Sequence, residues 1–209
     1  MPPAHIPEAL GPILGFLDMA GIAVFALSGA LLAAVKRQTL VTFLFFAVVT
    51  GVGGGTVRDL LIGAPVFWMH TNATLLICIG AALGVWFLSR QRITGRALLW
   101  FDAVGLAAYA VYGAAKALNY GVAPVPAFAM GVMTACVGGI IRDVLADEPS
   151  ILMRPELYVT AAALASGLFV ILALFGAPPA LAALVAGLAG FSLRGAAIAR
   201  GLSLPAYDR

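Results

Sequence analysis

The chain has 209 residues, of which 63% are hydrophobic and only 10% charged, with a mean hydropathy of +1.06. That leaves too little polar surface to clothe a water-soluble globule. The formal net charge of +3 is too small to point to nucleic acid as a partner and is read instead as membrane topology. The sequence is that of an all-α integral membrane protein, because its apolar runs of roughly 18–25 residues match what a helix needs to cross ~30 Å of hydrocarbon. No stretch shows the alternation of a membrane β-barrel.

The first ten residues hold neither Lys nor Arg, so the basic start of a cleavable signal peptide is missing and the first span is expected to stay in the mature protein. That span covers 11–35 and ends at Lys36-Arg37-Gln38. The second covers 39–63 and is stopped by Pro65, the third covers 72–88, and the polar stretch 89–96 divides the chain. Spans four, five and six cover 97–118, 126–145 and 155–175, with Pro126 and Pro155 placed as first-turn prolines. A seventh span, 178–198, opens at Ala177-Pro178-Pro179 and carries Ala182, Ala186 and Gly190 at every fourth position, a weak signal for close helix packing. Cys78 and Cys136 lie in separate apolar runs without metal-ligand spacing and are expected to be core thiols.

Inside the second span lies Thr50-Gly51-Val52-Gly53-Gly54-Gly55-Thr56-Val57-Arg58-Asp59. It recurs 84 residues on, where Thr134, Gly138, Gly139, Arg142 and Asp143 repeat Thr50, Gly54, Gly55, Arg58 and Asp59. Asp18 and Gly21 likewise map onto Asp102 and Gly105. One unit is used twice, as 11–88 and 97–175, within a single membrane domain 1–209. Three spans per unit is an odd number, so the second copy enters from the opposite side and the repeats are inverted. Lys36, Arg37, Arg90, Arg92, Arg96, Arg200 and Arg209 then share one face, which puts the amino terminus outside and the carboxyl terminus in the cytoplasm.

Glycine disfavours a helix by roughly 1 kcal/mol relative to alanine, so Gly53-Gly54-Gly55 is expected to loosen or break the second span, and Gly138-Gly139 the fifth. Val137 stands in place of Gly53, so the second break is the milder. Unwound backbone survives in a membrane only when buried in protein or beside a wet cavity. Close helix packing is the plainer explanation of the glycines, but their duplication with Arg-Asp favours a pathway.

Helical rise places Arg58 about 27 Å along its span, level with Asp18 and Asp59, while Asp102, Arg142 and Asp143 gather at the opposite end. Between these layers lies a waist of Gly54, Gly55, Gly138, Gly139, Thr50 and Thr134. Helix neighbours in sequence do not face each other, so Arg58 is expected to pair across helices with Asp18 rather than with Asp59. Buried ion pairs can be scaffold, yet ionisable groups inside a bundle mark ion or substrate paths by default. Four aspartates against two arginines suit a cation, with Lys116 expected to snorkel. His70, alone beside Trp68, reads as interfacial. No phosphate-binding loop, dinucleotide fingerprint, HExxH or Ser/His/Asp set occurs, so an enzyme is not expected.

Taken together, Gly53-Gly54-Gly55-x-x-Arg58-Asp59, its partner Gly138-Gly139-x-x-Arg142-Asp143 and the three-plus-three-plus-one arrangement resemble the prokaryotic trimeric intracellular cation channel (TRIC) family. The resemblance implies a homotrimer in a prokaryotic inner membrane, surrounded by lipid, each protomer with its own pore framed by the second and fifth spans. It implies passage of a monovalent cation, potassium or else sodium, near Gly54, Gly55, Gly138 and Gly139, with no other cofactor. Lys116 is a candidate match to a lysine of the animal members. The same domain also carries a glycine transporter label, which keeps open a secondary transporter of a small solute such as glycine. A non-conducting assembly protein is the third reading.

Overall fold

Each apolar run becomes one helix. The computed structural model describes residues 11–87 and 95–205, and in them the chain forms α1 (Gly11–Val35), α2 (Leu40–Leu61), α3 (Asn72–Phe87), α4 (Gly95–Asn119), α5 (Pro124–Leu145), α6 (Val159–Leu174) and α7 (Pro179–Arg200). By length and composition α1, α2, α4, α5 and α7 can cross a membrane, while α3 and α6 have 16 residues each. The polar divide at 89–96 falls mostly outside the described residues.

Local chemistry sets the helix ends. Thr39 caps α2 by accepting from the Thr42 amide, and Pro124 and Pro179 sit in first turns where their missing N–H is not needed. Gly201, at φ 65°, closes α7 in the left-handed conformation that favours glycine. Most boundaries fall within two residues of expectation, and one differs by a full turn. The sixth helix begins at Val159 rather than Pro155, because the carbonyl of Pro155 accepts the Leu204 amide at 2.7 Å and Glu156 forms a β-bridge with Ser203. The seventh runs on to Arg200, two residues past the expected end, with Arg194 inside it.

Within the first half α1, α2 and α3 pack on one another, and α4, α5 and α6 do the same in the second. The halves meet through α1 on α4 and α2 on α5, while α7 packs against α4 and α6. Reciprocal contacts tie α1 to α4: Gly21 lies against the Tyr109 ring and Gly105 against Phe25. Cys78 and Cys136 are buried free thiols, as the sequence predicts.

The glycine clusters do not break their helices. Both α2 and α5 are continuous α-helix through Gly53-Gly54-Gly55 and Gly138-Gly139. The glycines instead let two backbones cross in contact: a methyl group on Gly54 would overlap the Thr134 carbonyl oxygen, and one on Gly138 would lie 2.6 Å from the Thr50 carbonyl oxygen. Tertiary packing at the crossing thus offsets the poor helix propensity of the cluster.

Candidate functional site

The helix crossing holds a buried charged cluster on each side of it. At the first, the end of α2 supplies Arg58 and Asp59, the start of α1 supplies Asp18 and the last turn of α4 supplies Lys116. Arg58 Nε donates to Asp59 Oδ1 at 2.9 Å, and Lys116 Nζ donates to the same oxygen at 2.8 Å. Arg58 Nη2 is also 2.8 Å from Asp59 Oδ1, but at an angle that makes no hydrogen bond. Asp59 Oδ2 accepts the Phe67 amide at 3.1 Å. The Arg58 guanidinium lies over the Tyr112 ring, 4.9 Å from its centroid, and 5.9 Å from that of Phe67. Asp18 Oδ1 has no hydrogen-bond partner, and the Tyr112 hydroxyl faces its carboxylate.

The second cluster is built from the start of α4, the end of α5 and the middle of α1. Arg142 Nε donates to Asp143 Oδ1 at 2.9 Å, while Nη1 donates to Asp102 Oδ1 at 2.7 Å and to the Ser28 hydroxyl. Asp143 Oδ2 accepts the Ile151 amide at 3.2 Å, in the same way that Asp59 holds Phe67. Asp102 Oδ2 is buried without a partner. Arg58, Asp59, Asp102, Arg142 and Asp143 are each at most 4% exposed. A cavity of about 490 Å³ reaches Asp102, Arg142 and Asp143 and is rimmed by Arg96, Glu148 and Arg154. Just past α1, Lys36 forms an ion pair at 2.6 Å with Glu148 in the loop after α5 and holds its carboxyl below the usual glutamate range.

The structure brings each layer together as the sequence predicts, but two pairings differ. Arg58 is held by its own neighbour Asp59 and makes no ion pair with Asp18, because the arginine chain is long enough to curl back along the helix end. Lys116 does not snorkel: it is bound to Asp59 with only 16% of its side chain exposed. At the waist Thr50, Gly54, Thr134 and Gly138 form the crossing itself, Gly53 touches Ile141, Gly55 lies against Phe67 and Gly139 against Tyr158. The Thr134 carbonyl lies against Gly54 and the Thr50 carbonyl against Gly138.

Sequence reasoning missed Ser28, Phe67, Tyr112, Tyr158 and Arg194. Tyr112 was within reach, since it lies one turn before Lys116 on α4 and so shares its face. Ser28 gave the weaker sign of a lone hydroxyl inside an apolar run.

These features define a polytopic helical membrane protein whose two halves carry matching buried charge clusters joined at a glycine crossing. The family model described as "Glycine transporter" matches residues 15–90 and again 99–174. A UPF0126 membrane protein of Vibrio cholerae is 41% identical over 93% of this chain and 83% of its own length. The UPF0126 inner membrane protein YadS of Escherichia coli is 44% identical over 70% of this chain and 72% of its own. Among solved structures, the trimeric intracellular cation channel orthologue from Rhodobacter sphaeroides is 44% identical and superposes with a TM-score of 0.87, covering 91% of this chain and 99% of that one. The chain belongs to the prokaryotic TRIC family, whose domain model bears the glycine transporter description.

Proposed function

We propose that the chain is a passive channel for monovalent cations, potassium first, with one conducting path in each protomer of a homotrimer. The observation that carries this reading is the pair of buried clusters flanking the α2–α5 crossing, in which four aspartates face three basic groups, Arg58, Lys116 and Arg142. Charges placed along a path set the local cation concentration. The likeness to a channel described as trimeric and cation-conducting supports both the function and the assembly.

The path runs beside α2 and α5, past Thr50, Gly53, Gly54, Gly55, Arg58 and Asp59 and past Thr134, Gly138, Gly139, Arg142 and Asp143. The two halves are inverted repeats, which the double match of the family model supports. The protein lies in a prokaryotic inner membrane with its amino terminus outside and its carboxyl terminus cytoplasmic, so a cysteine at Asn72 is labelled from outside and one at Gln91 is not.

Purified protein in planar bilayers under a potassium chloride gradient tests conduction. Reproducible unitary steps that reverse near the potassium potential are expected. The glycine transporter description favours one second reading, a secondary transporter. Saturable glycine uptake into proteoliposomes, with no unitary steps, would establish that reading in place of the first.

A further inference from the structure

The seventh helix lies outside the repeated unit, yet it carries an arginine that is only 1% exposed. Arg194 Nη2 donates to Glu156 Oε2 at 2.6 Å, and its guanidinium lies 5.3 Å from the centroid of the Tyr158 ring. A guanidinium over an aromatic face fixes the plane of the ring, and with it the direction of the Tyr158 hydroxyl. The same segment is gripped from a second side. After Gly201 the tail turns back, so that Ser203 bridges Glu156 and the Leu204 amide binds the Pro155 carbonyl.

Tyr158 delivers this grip to the second charged cluster. A methyl group on Gly139 would lie 3.0 Å from the Tyr158 hydroxyl and 3.6 Å from both Asp102 Oδ1 and Arg142 Nη2, so all three converge on one small space. The hydroxyl faces Asp102, yet neither it nor Asp102 Oδ2 completes a hydrogen bond. A buried donor and a buried acceptor thus both stand open, and each carries a desolvation penalty that pairing them would relieve. Two residues before Asp102 on α4, Trp100 packs on Phe191 and Gly195 of α7, so α7 also braces the helix that bears Asp102.

We propose that Arg194 is a positioning residue for the pathway: with Glu156 it aims Tyr158 at Asp102, so that α7 sets the charge presented by the Asp102–Arg142 end. This rests on the reading of that cluster as part of the path, and the experiment separates the two.

The measurement is the ratio of unitary current amplitudes at equal positive and negative voltages, taken for Arg194→Gln, Arg194→Lys, Tyr158→Phe, Glu156→Gln and the Arg194→Gln/Tyr158→Phe pair, with Asp102→Asn as reference. Arg194→Gln and Tyr158→Phe should each change the ratio in the same direction, by about twofold if the charge lines the path. The double variant should match Tyr158→Phe alone, because the two act in series. Arg194→Lys, which keeps the charge beside Glu156, should recover part of the wild-type ratio. If Asp102→Asn changes the ratio while Arg194→Gln and Tyr158→Phe lower only the melting temperature, Arg194 is scaffold and the proposal is overturned. If Asp102→Asn leaves the ratio unchanged, the pathway reading fails at this cluster. The coupling is then judged by melting alone: non-additive shifts for Arg194→Gln with Asp102→Asn support it, and additive shifts overturn it. Should Arg194→Gln not fold, Tyr158→Phe and Glu156→Gln carry the same comparison, since the first removes one oxygen and the second only a charge.

Discussion

At the Asp18 end the shared group is an anion, for Asp59 Oδ1 takes both Arg58 and Lys116; at the Asp102 end it is a cation, for Arg142 grips Asp102, Asp143 and Ser28. Two positions related by the repeat account for the difference. Ser28 is small enough to let Arg142 reach Asp102, whereas its counterpart Tyr112 puts a ring under Arg58 and a hydroxyl against Asp18. Lys116 stands where the first half has Leu32. The Asp18 end therefore balances two carboxylates with two cations, while the Asp102 end sets two carboxylates against one. A duplicated motif has been kept as a fold element and diverged as an electrostatic one.

The largest expected effect comes from removing the two arginines in turn. Arg142→Ala takes the one counter-ion from two buried carboxylates at once, leaving Asp143 only the Ile151 amide and Asp102 only Ser28, and breaking a buried pair by taking one partner costs roughly 3–5 kcal/mol. Arg58→Ala leaves Asp59 still bound to Lys116 and to the Phe67 amide, so its loss should be clearly smaller. Denaturant unfolding in detergent measures both. Equal losses would mean that Lys116 does not substitute for Arg58 and that the two ends are not built differently.

The crossing between the ends should instead respond symmetrically. Gly54→Ala and Gly138→Ala each drive a methyl group into an opposing carbonyl, and overpacking of this kind costs about 1–3 kcal/mol. Gly53→Ala meets the flexible tip of Ile141 at 3.3 Å and the Gly138 Cα at an ordinary 3.6 Å and gains helix propensity, so it should be neutral or stabilising. Were the cluster a helix break, Gly53→Ala would be the damaging change, and melting temperatures for the three variants decide between these accounts.

How far the chain could be read from its sequence depends on which signals are local. Apolar run length fixes helix number, and the doubled Arg-Asp fixes which charges gather at each end, because both follow from helical rise. The role of the glycines was not legible, since a helix-weakening residue and a helix-packing residue are the same residue until its neighbour is known; Thr134 and Thr50 are that neighbour. The Arg58–Asp59 pairing was missed because the rule for helix neighbours concerns Cβ directions and not the reach of an arginine. The burial of Arg194 was not legible, because its partners Glu156 and Tyr158 come from a distant segment that no local pattern links to it.

Lys116→Gln sharpens the comparison by giving the Asp18 end the charge balance of the Asp102 end. Asp59 keeps Arg58 and the Phe67 amide, so the stability loss should be about 1.5–2 kcal/mol, the low end for one hydrogen bond to a charged group. In the channel reading, single-channel currents should grow most for cations entering from the Asp18 side, because a cation-repelling charge has gone. An unchanged amplitude would make Lys116 a structural partner of Asp59 and nothing more.

The smallest expected effect lies at the rim of the Asp102 end, where Lys36 ties the end of α1 to Glu148 after α5. The corresponding positions of the other half are Tyr120 and Ala64, so this link has no counterpart there. Lys36 holds the Glu148 carboxyl below its ordinary value, with Arg154 adding to the effect from 3.7 Å. A carboxyl depressed on folding adds stability above its unfolded pKa and loses that increment as the pH falls through the folded value. Unfolding curves of wild type and Glu148→Gln should therefore separate at neutral pH and converge in acid below the ordinary glutamate range. The gap should also shrink in high salt, because about a third of each side chain is exposed and such pairs are screened. A gap that persists unchanged into acid would show that Glu148 contributes through packing rather than charge, and the rim would then differ between the two ends in shape alone.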